Sequence, residues 1–177
     1  MSGASGFMAG KRGLIMGLAN NRSIAWGIAK ACHAQGAELA FTYQGEALGK
    51  RVKPLAESVG SDIVLPCDVE DIASVDAVFA ALKDKWKTLD FVVHAIGFSD
   101  KNELKGRYIE QTTRENFSRT MVISCYSFTE VAQRAAKLMP NGGSLLTLTY
   151  GGATRVMPNY NVMGLAKAAL EASVRYI

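Results

Sequence analysis

The chain has 177 residues, of which 49% are hydrophobic and 20% are charged, and its formal net charge is +4. This balance is typical of a folded domain and excludes a largely disordered or collagen-like chain. The lysines and arginines are scattered rather than gathered into one basic block, so the sequence predicts no nucleic-acid partner.

The three cysteines, Cys32, Cys67 and Cys125, form no Cys-x-x-Cys pair, which argues against a disulfide framework and against a zinc site. We therefore predict no metal site and expect a cytoplasmic protein. No apolar run approaches the ~20 residues of a membrane helix, so membrane insertion is not expected. Residues 1–9 lack the pattern of a signal peptide, and we predict that they form a disordered tail.

Short apolar runs alternate with amphipathic stretches along the rest of the chain. The runs that predict strands cover 13–18, 37–43, 62–66, 91–96 and 144–149, and the helical patterns cover 23–34, 46–59, 72–86, 112–138 and 158 to the end. This alternation predicts the α/β class, with a doubly wound, Rossmann-like parallel sheet in one domain over residues 10–177. Because ligands of such folds bind at the carboxyl ends of the strands, the residues after each strand are the candidates for function.

The first predicted strand leads into a segment, 17–27, that opens a helix and suits a phosphate group. Gly17 can make the tight turn, Ala19 is small enough for close approach, Ser23 can cap the helix and Gly27 permits close helix packing. The usual G-x-G-x-x-G spacing is absent. An ordinary turn between a strand and a helix is the alternative.

The second and third strands end at residues that suit the adenosine part of a dinucleotide. Gln44 stands where many NAD-binding folds have a carboxylate for the ribose. Its neutral amide does not repel a 2'-phosphate, and Arg22 could attract one, so charge alone leaves NADH and NADPH open. Asp68 could accept from the adenine amino group or could cap the helix that begins near Asp71. His94, inside the fourth strand, is predicted to be a core residue.

After the fifth strand come Tyr150, a Gly-Gly loop and a helix that we expect to begin at Pro158. The seven-residue spacing of Tyr160 and Lys167 is two helical turns and predicts that both side chains project from one face. A nearby ammonium is expected to lower the pKa of the phenol.

These motifs resemble those of the bacterial enoyl-[acyl-carrier-protein] reductases, a divergent branch of the short-chain dehydrogenases/reductases. The likeness is carried by segments 17–27, 41–44, 61–69, 94–98 and 158–167 and runs from about residue 10 to 177. It implies the last reduction of fatty-acid elongation, in which NADH, rather than NADPH, reduces the trans-2 double bond of an enoyl thioester. It also implies acyl carrier protein as a partner and a homotetramer.

The resemblance implies a role for individual residues. Tyr160 would bind the thioester carbonyl, Lys167 would hold the nicotinamide ribose, and Tyr150 would be a second active-site tyrosine. The resemblance, together with the residues that follow each predicted strand, gives the predicted cofactor contacts. They are Gly17, Ala19, Ser23, Ile24, Gln44, Asp68, Val69, Ile96, Gly97 and Lys167. The predicted substrate contacts are Phe98, Ser99, Leu104, Tyr150, Met157, Tyr160 and Met163.

The same family continues beyond the fifth strand–helix unit with a substrate-covering loop and further strands. We therefore expect this chain to be truncated after that unit and the 177-residue chain alone to be poorly active. Ordinary short-chain dehydrogenases have a serine thirteen residues before a Tyr-x3-Lys pair, whereas here Thr147 and Gly164 occupy those positions. The alternatives are a hydroxyl or ketone dehydrogenase and a non-catalytic NAD(P)-binding regulatory protein.

Overall fold

The computed structural model describes residues 6–177, which form a five-stranded sheet flanked by helices. In chain order the elements are β1 (Arg12–Met16), α1 (Ile24–Ala34), β2 (Glu38–Tyr43), α2 (Gly45–Ser58), β3 (Ile63–Pro66), α3 (Ile72–Trp86), β4 (Phe91–His94), α4 (Tyr108–Gln111), α5 (Arg114–Met121), a π-turn (Val122–Tyr126), α6 (Ser127–Ala136), β5 (Ser144–Thr147), a 3-10 turn (Gly151–Ala153) and α7 (Asn161–Val174). The strand order is β3-β2-β1-β4-β5, and β1 pairs in parallel with both β2 and β4. The predicted doubly wound parallel sheet is confirmed.

The central strands are buried on both faces, which explains their continuous apolar sequences. Leu14, Ile15 and Met16 in β1 are fully buried, and all four residues of β4 are buried as well. His94 is among them, as predicted, with no exposed surface. Within the described residues, no helix is both long and apolar enough to cross a membrane.

The chain divides into two compact units. Of the described residues, the first comprises 6–95 together with Gln133–Leu146, and the second comprises Ile96–Ala132 and Thr147–Ile177. The core of the first unit includes side chains of β1, β2 and the helices beside them, whereas α7 contributes buried residues to the second.

The predicted disordered tail is partly wrong. Residues 1–5 lie outside the described residues, but residues 6–10 form a hydrogen-bonded turn. The amide of Met8 donates to the carbonyl of Gln35 at 3.0 Å, and the Met8 side chain packs partly buried against the core of the first unit. This apolar contact and the satisfied amide explain why order begins before residue 10.

Candidate functional site

In the first unit, the turn after β1 has the geometry expected of Gly17. Its φ is +86°, and a Cβ there would collide with the carbonyl oxygen of Ala95. Only glycine combines this backbone conformation with such a close approach.

Ser23 occupies the predicted cap position of α1, but its side chain makes no bond to the helix. Ser23 Oγ instead accepts from the amides of Ala19 and Asn20, each at 3.1 Å, which closes the loop on itself. The amides of Ile24 and Ala25 donate to no acceptor in the part of the chain that the structure describes. These free donors lie at a helix N-terminus, where an anion is stabilised.

The packing role predicted for Gly27 is wrong. A Cβ at this position would meet nothing within 4 Å, so the helix does not need a glycine for close contact within the described chain.

The ends of β2 and β3 are joined by a contact that sequence reasoning did not predict. Gln44 Nε2 donates to Asp68 Oδ2 at 3.2 Å, and Asp68 Oδ1 accepts from the Glu70 amide at 3.0 Å. The capping alternative for Asp68 is wrong, because Asp71 caps α3 by accepting from an amide of the first turn. Val69, the predicted apolar neighbour of the adenine, is buried.

In the second unit, the last helix begins later than predicted. Pro158 lies outside α7, which starts at Asn161, and Tyr160 is its N-cap. Asn159 and Asn161 both have positive φ, at 56° and 25°, so no regular helix runs through Tyr160 into α7. The prediction that Tyr160 and Lys167 share one helical face is therefore wrong, because only Lys167 is in the helix.

Lys167 is buried in the second unit with only 7% of its surface exposed, and its Nζ donates to the Leu148 carbonyl at 2.8 Å. Burial lowers the pKa of its ammonium group. A Cβ placed on Gly97 would lie 3.6–3.8 Å from Met163 Cε, Lys167 Nζ and Ser124 Oγ. The structure thus brings together three predicted site residues, Gly97, Met163 and Lys167, around one point.

Tyr150 and Tyr160 are in contact. Their ring centroids are 4.9 Å apart and the rings meet edge to face at 61°. Burial raises the pKa of the Tyr160 phenol, and Tyr150 raises it further. The predicted lowering of this pKa by Lys167 is wrong. Desolvation of the phenol disfavours its anion and leaves a neutral hydroxyl.

A cleft of about 490 Å³ lies beside Tyr160. Of the seven predicted substrate residues, Met157 and Tyr160 line it, together with residues of α7 and of the loop before it. Phe98 is 43% exposed and has the Arg119 guanidinium 4.7 Å from its ring centre. Leu104 is half-buried, and the contacts of the other predicted residues with a substrate stay predictions.

Sequence reasoning missed a polar stripe formed by Asn116, Thr120 and Ser124, which are all buried. Asn116 Oδ1 accepts from the Asp100 amide at 3.0 Å, while Ser124 Oγ accepts from the Phe98 amide at 2.9 Å and donates to its carbonyl at 3.0 Å. The stripe therefore fixes the backbone that follows Gly97. Its signal was the four-residue spacing of short polar side chains within a predicted helix, which places them on one face.

The parallel sheet, the glycine turn after its first strand, and the tyrosine pair and buried lysine of the second unit define a short-chain dehydrogenase/reductase with a Rossmann-like fold. A family model described as Enoyl-(Acyl carrier protein) reductase matches residues 17–177. The chain belongs to this family.

Curated relatives and solved structures agree. The chain is 78% identical over 173 residues to enoyl-[acyl-carrier-protein] reductase [NADH] 2 of Rhizobium meliloti (strain 1021), and the match covers 98% of this chain and 64% of that protein. The crystal structure of FabI from Candidatus Liberibacter asiaticus has a TM-score of 0.95 at 61% identity. The match covers 97% of this chain and 66% of that one. An enoyl-(acyl-carrier-protein) reductase of Anaplasma phagocytophilum, solved in complex with NAD, has a TM-score of 0.94 at 59% identity, with 99% of this chain and 67% of that one covered. The chain thus spans just under two thirds of the first of these relatives.

Proposed function

We propose that the protein containing this chain reduces the trans-2 double bond of an enoyl-[acyl-carrier-protein] thioester with NADH, the last step of a fatty-acid elongation cycle. The observation that carries the proposal is the contact of Tyr150 with Tyr160, whose phenol has its pKa raised by burial, in the unit that also buries Lys167. Two close tyrosines without a Tyr-x3-Lys pair suit stabilisation of a thioester oxygen better than proton transfer to an alkoxide.

Residues of the first unit fit the nucleotide. The free amides of Ile24 and Ala25 at the start of α1 are suited to a pyrophosphate, and the glycine turn at Gly17 leaves no side chain before them. When bound, NADH supplies the hydride. The Asp68 carboxylate accepts a hydrogen bond from Gln44 Nε2 at 3.2 Å. It therefore places negative charge at the end of β2, where that charge would repel a 2'-phosphate. This contact supports NADH over NADPH.

Residues of the second unit would act on the thioester. Tyr160 would donate a hydrogen bond to the thioester carbonyl oxygen, and this bond strengthens as negative charge develops on that oxygen. Tyr150 supports the ring from one side. Lys167 would bind the nicotinamide ribose through its ammonium group, whose present acceptor is the Leu148 carbonyl.

We further propose acyl carrier protein as the partner, a homotetrameric assembly and a cytoplasmic location. The net charge of +4 favours encounter with an acidic carrier protein. All three cysteines are free thiols, which suits a reducing compartment. The tetramer rests on the family resemblance, which assigns much of the interface to the helical region from residue 112 and to the last helix.

The experiment uses a completed protein, in which this chain is joined to the part of the Rhizobium meliloti relative that the match does not cover. Loss of NADH absorbance is followed with a trans-2-enoyl thioester. We expect Tyr160→Phe to lower kcat roughly 10²–10³-fold, because one oxyanion donor is lost. Tyr176→Phe, at a tyrosine that is 92% exposed, is the matched control and should leave kcat unchanged.

Three outcomes contradict parts of the proposal. Normal turnover by Tyr160→Phe removes the role of Tyr160. Oxidation of secondary alcohols without enoyl reduction decides for a hydroxyl or ketone dehydrogenase. Tight NADH binding with no turnover of either substrate class decides for a regulatory protein. Parallel titrations with NADPH test the cofactor preference.

A further inference from the structure

Tyr160 is flanked by two asparagines whose backbones adopt positive φ, 56° at Asn159 and 25° at Asn161. Asparagine tolerates this region better than most residues with a side chain, so the backbone alone could account for both. Their side chains differ, however. Asn159 is exposed and makes no hydrogen bond to another described residue, whereas Asn161 Nδ2 donates to the Glu103 carbonyl at 2.9 Å and reaches the Gly106 carbonyl at 3.4 Å.

The two acceptors of Asn161 lie on a loop that is itself fixed. The Glu103 carboxylate accepts from the Thr113 amide at 3.0 Å and from its hydroxyl at 2.8 Å, at the start of α5. These hydrogen bonds lower the pKa of Glu103, because they stabilise its charged carboxylate. Asn161 therefore donates to backbone carbonyls of a loop that is itself hydrogen-bonded to the start of α5 through Glu103.

The Tyr160 carbonyl accepts from the Met163 amide at 2.9 Å, but no hydrogen bond holds its side chain within the described residues. Tyr160 is the N-cap of α7 without a side-chain capping bond, and its hydroxyl makes no hydrogen bond within residues 6–177. Its ring is restrained by Tyr150 and by the backbone of Gly152, where a Cβ would collide with it. The position of the phenol thus depends on these ring contacts and on the backbone of Tyr160, and Asn161 anchors the residue directly after it.

We propose that Asn161 is a positioning residue: its side-chain amide ties the Tyr160 backbone to the 103–106 loop and so holds the phenol where it meets the thioester oxygen. The inference rests on the proposed function, because it assigns to Asn161 an effect that passes through Tyr160. A misplacement of about 1 Å at a reacting group can cost 10²-fold in rate.

The test compares Asn161→Gly with Asn159→Gly in the completed protein. Both glycines accept the positive φ, but only the first removes hydrogen bonds. We expect Asn161→Gly to lower kcat roughly 10- to 100-fold with the KM for NADH within about twofold, and Asn159→Gly to leave both unchanged. Asn161→Asp keeps the shape without the donor and should show the same fall, which preserves the test if the glycine variant does not fold.

A double-mutant cycle separates positioning from a general structural effect. If Asn161 acts through Tyr160, adding Asn161→Gly to Tyr160→Phe should change kcat by less than about twofold. The proposal is overturned if Asn161→Gly lowers kcat by the same factor in the unsubstituted protein and in Tyr160→Phe. It is also overturned if Asn161→Gly or Asn161→Asp has a normal kcat while the kcat of Tyr160→Phe is lowered. Normal turnover by Tyr160→Phe overturns the role of Tyr160 itself, and the positioning role with it.

Discussion

The turn after β1 gives a prediction whose size follows from the geometry of Gly17. Gly17→Ala must adopt a φ of +86° and must also move the Ala95 carbonyl, with which its Cβ would collide. A left-handed backbone costs an alanine ~1–2 kcal/mol, and forcing a methyl group into a packed site costs ~1–3 kcal/mol. The free energy of unfolding should therefore fall by about 2–5 kcal/mol.

Two other glycines of the same unit separate these contributions. Gly60 has a φ of +70° with nothing within 4 Å of a Cβ, so Gly60→Ala should lose only the backbone contribution of ~1–2 kcal/mol. Gly27 lies in α1 without positive φ and also faces open space, so Gly27→Ala should gain up to ~1 kcal/mol from helix propensity.

The assay is urea unfolding of the completed protein and its three variants, followed by circular dichroism. The expected order of stability is Gly27→Ala, the unsubstituted protein, Gly60→Ala and then Gly17→Ala. If Gly17→Ala is no less stable than Gly60→Ala, the close approach to the Ala95 carbonyl does not constrain the turn, and the reasoning from steric exclusion is refuted.

Two further predictions concern buried groups. Ser124→Ala removes both hydrogen bonds to the Phe98 backbone, so the free energy of unfolding in urea should fall by ~1–3 kcal/mol; an unchanged value would show that the polar stripe is not stabilising. Burial raises the pKa of the Cys67 thiol to about 11. Because the thiolate is the nucleophile, iodoacetamide at roughly pH 8 should alkylate Cys67 far faster in urea than in the folded protein. Mass spectrometry locates the alkylated cysteine and gives both rates. Equal rates in the two conditions would contradict its burial.

The fold was accessible from sequence because the strands are short, apolar and buried on both faces. The fully buried run Leu14 to Met16 is of this kind, and the alternation of such runs with helical patterns predicts the parallel sheet correctly. The helix predicted over 112–138 was too simple. The helical residues begin at Arg114 and end at Ala136, and residues 122–126 between them form a π-turn, a local change of pitch that hydrophobic periodicity does not reveal.

The site was predicted less well wherever a polar side chain has several possible hydrogen-bond partners. Ser23 occupies the expected cap position, yet its hydroxyl accepts from two loop amides. Gln44 and Asp68 were each assigned to the nucleotide separately, and nothing in their spacing showed that they bond to each other. Such choices depend on distances between chain segments, which residue spacing does not contain.

The position and the pKa of Tyr160 could not be predicted from the sequence, and both matter for its chemistry. Spacing suggested an ammonium beside the phenol and a lowered pKa, but Tyr160 lies before the helix and burial raises its pKa. A tyrosine that must deprotonate would be impaired by this environment. A tyrosine that must donate a hydrogen bond to a developing oxyanion gains from it, because the hydroxyl stays protonated over the whole neutral range. The raised pKa therefore suits a phenol that donates a hydrogen bond, as the proposed enoyl reduction requires, better than one that acts as a base.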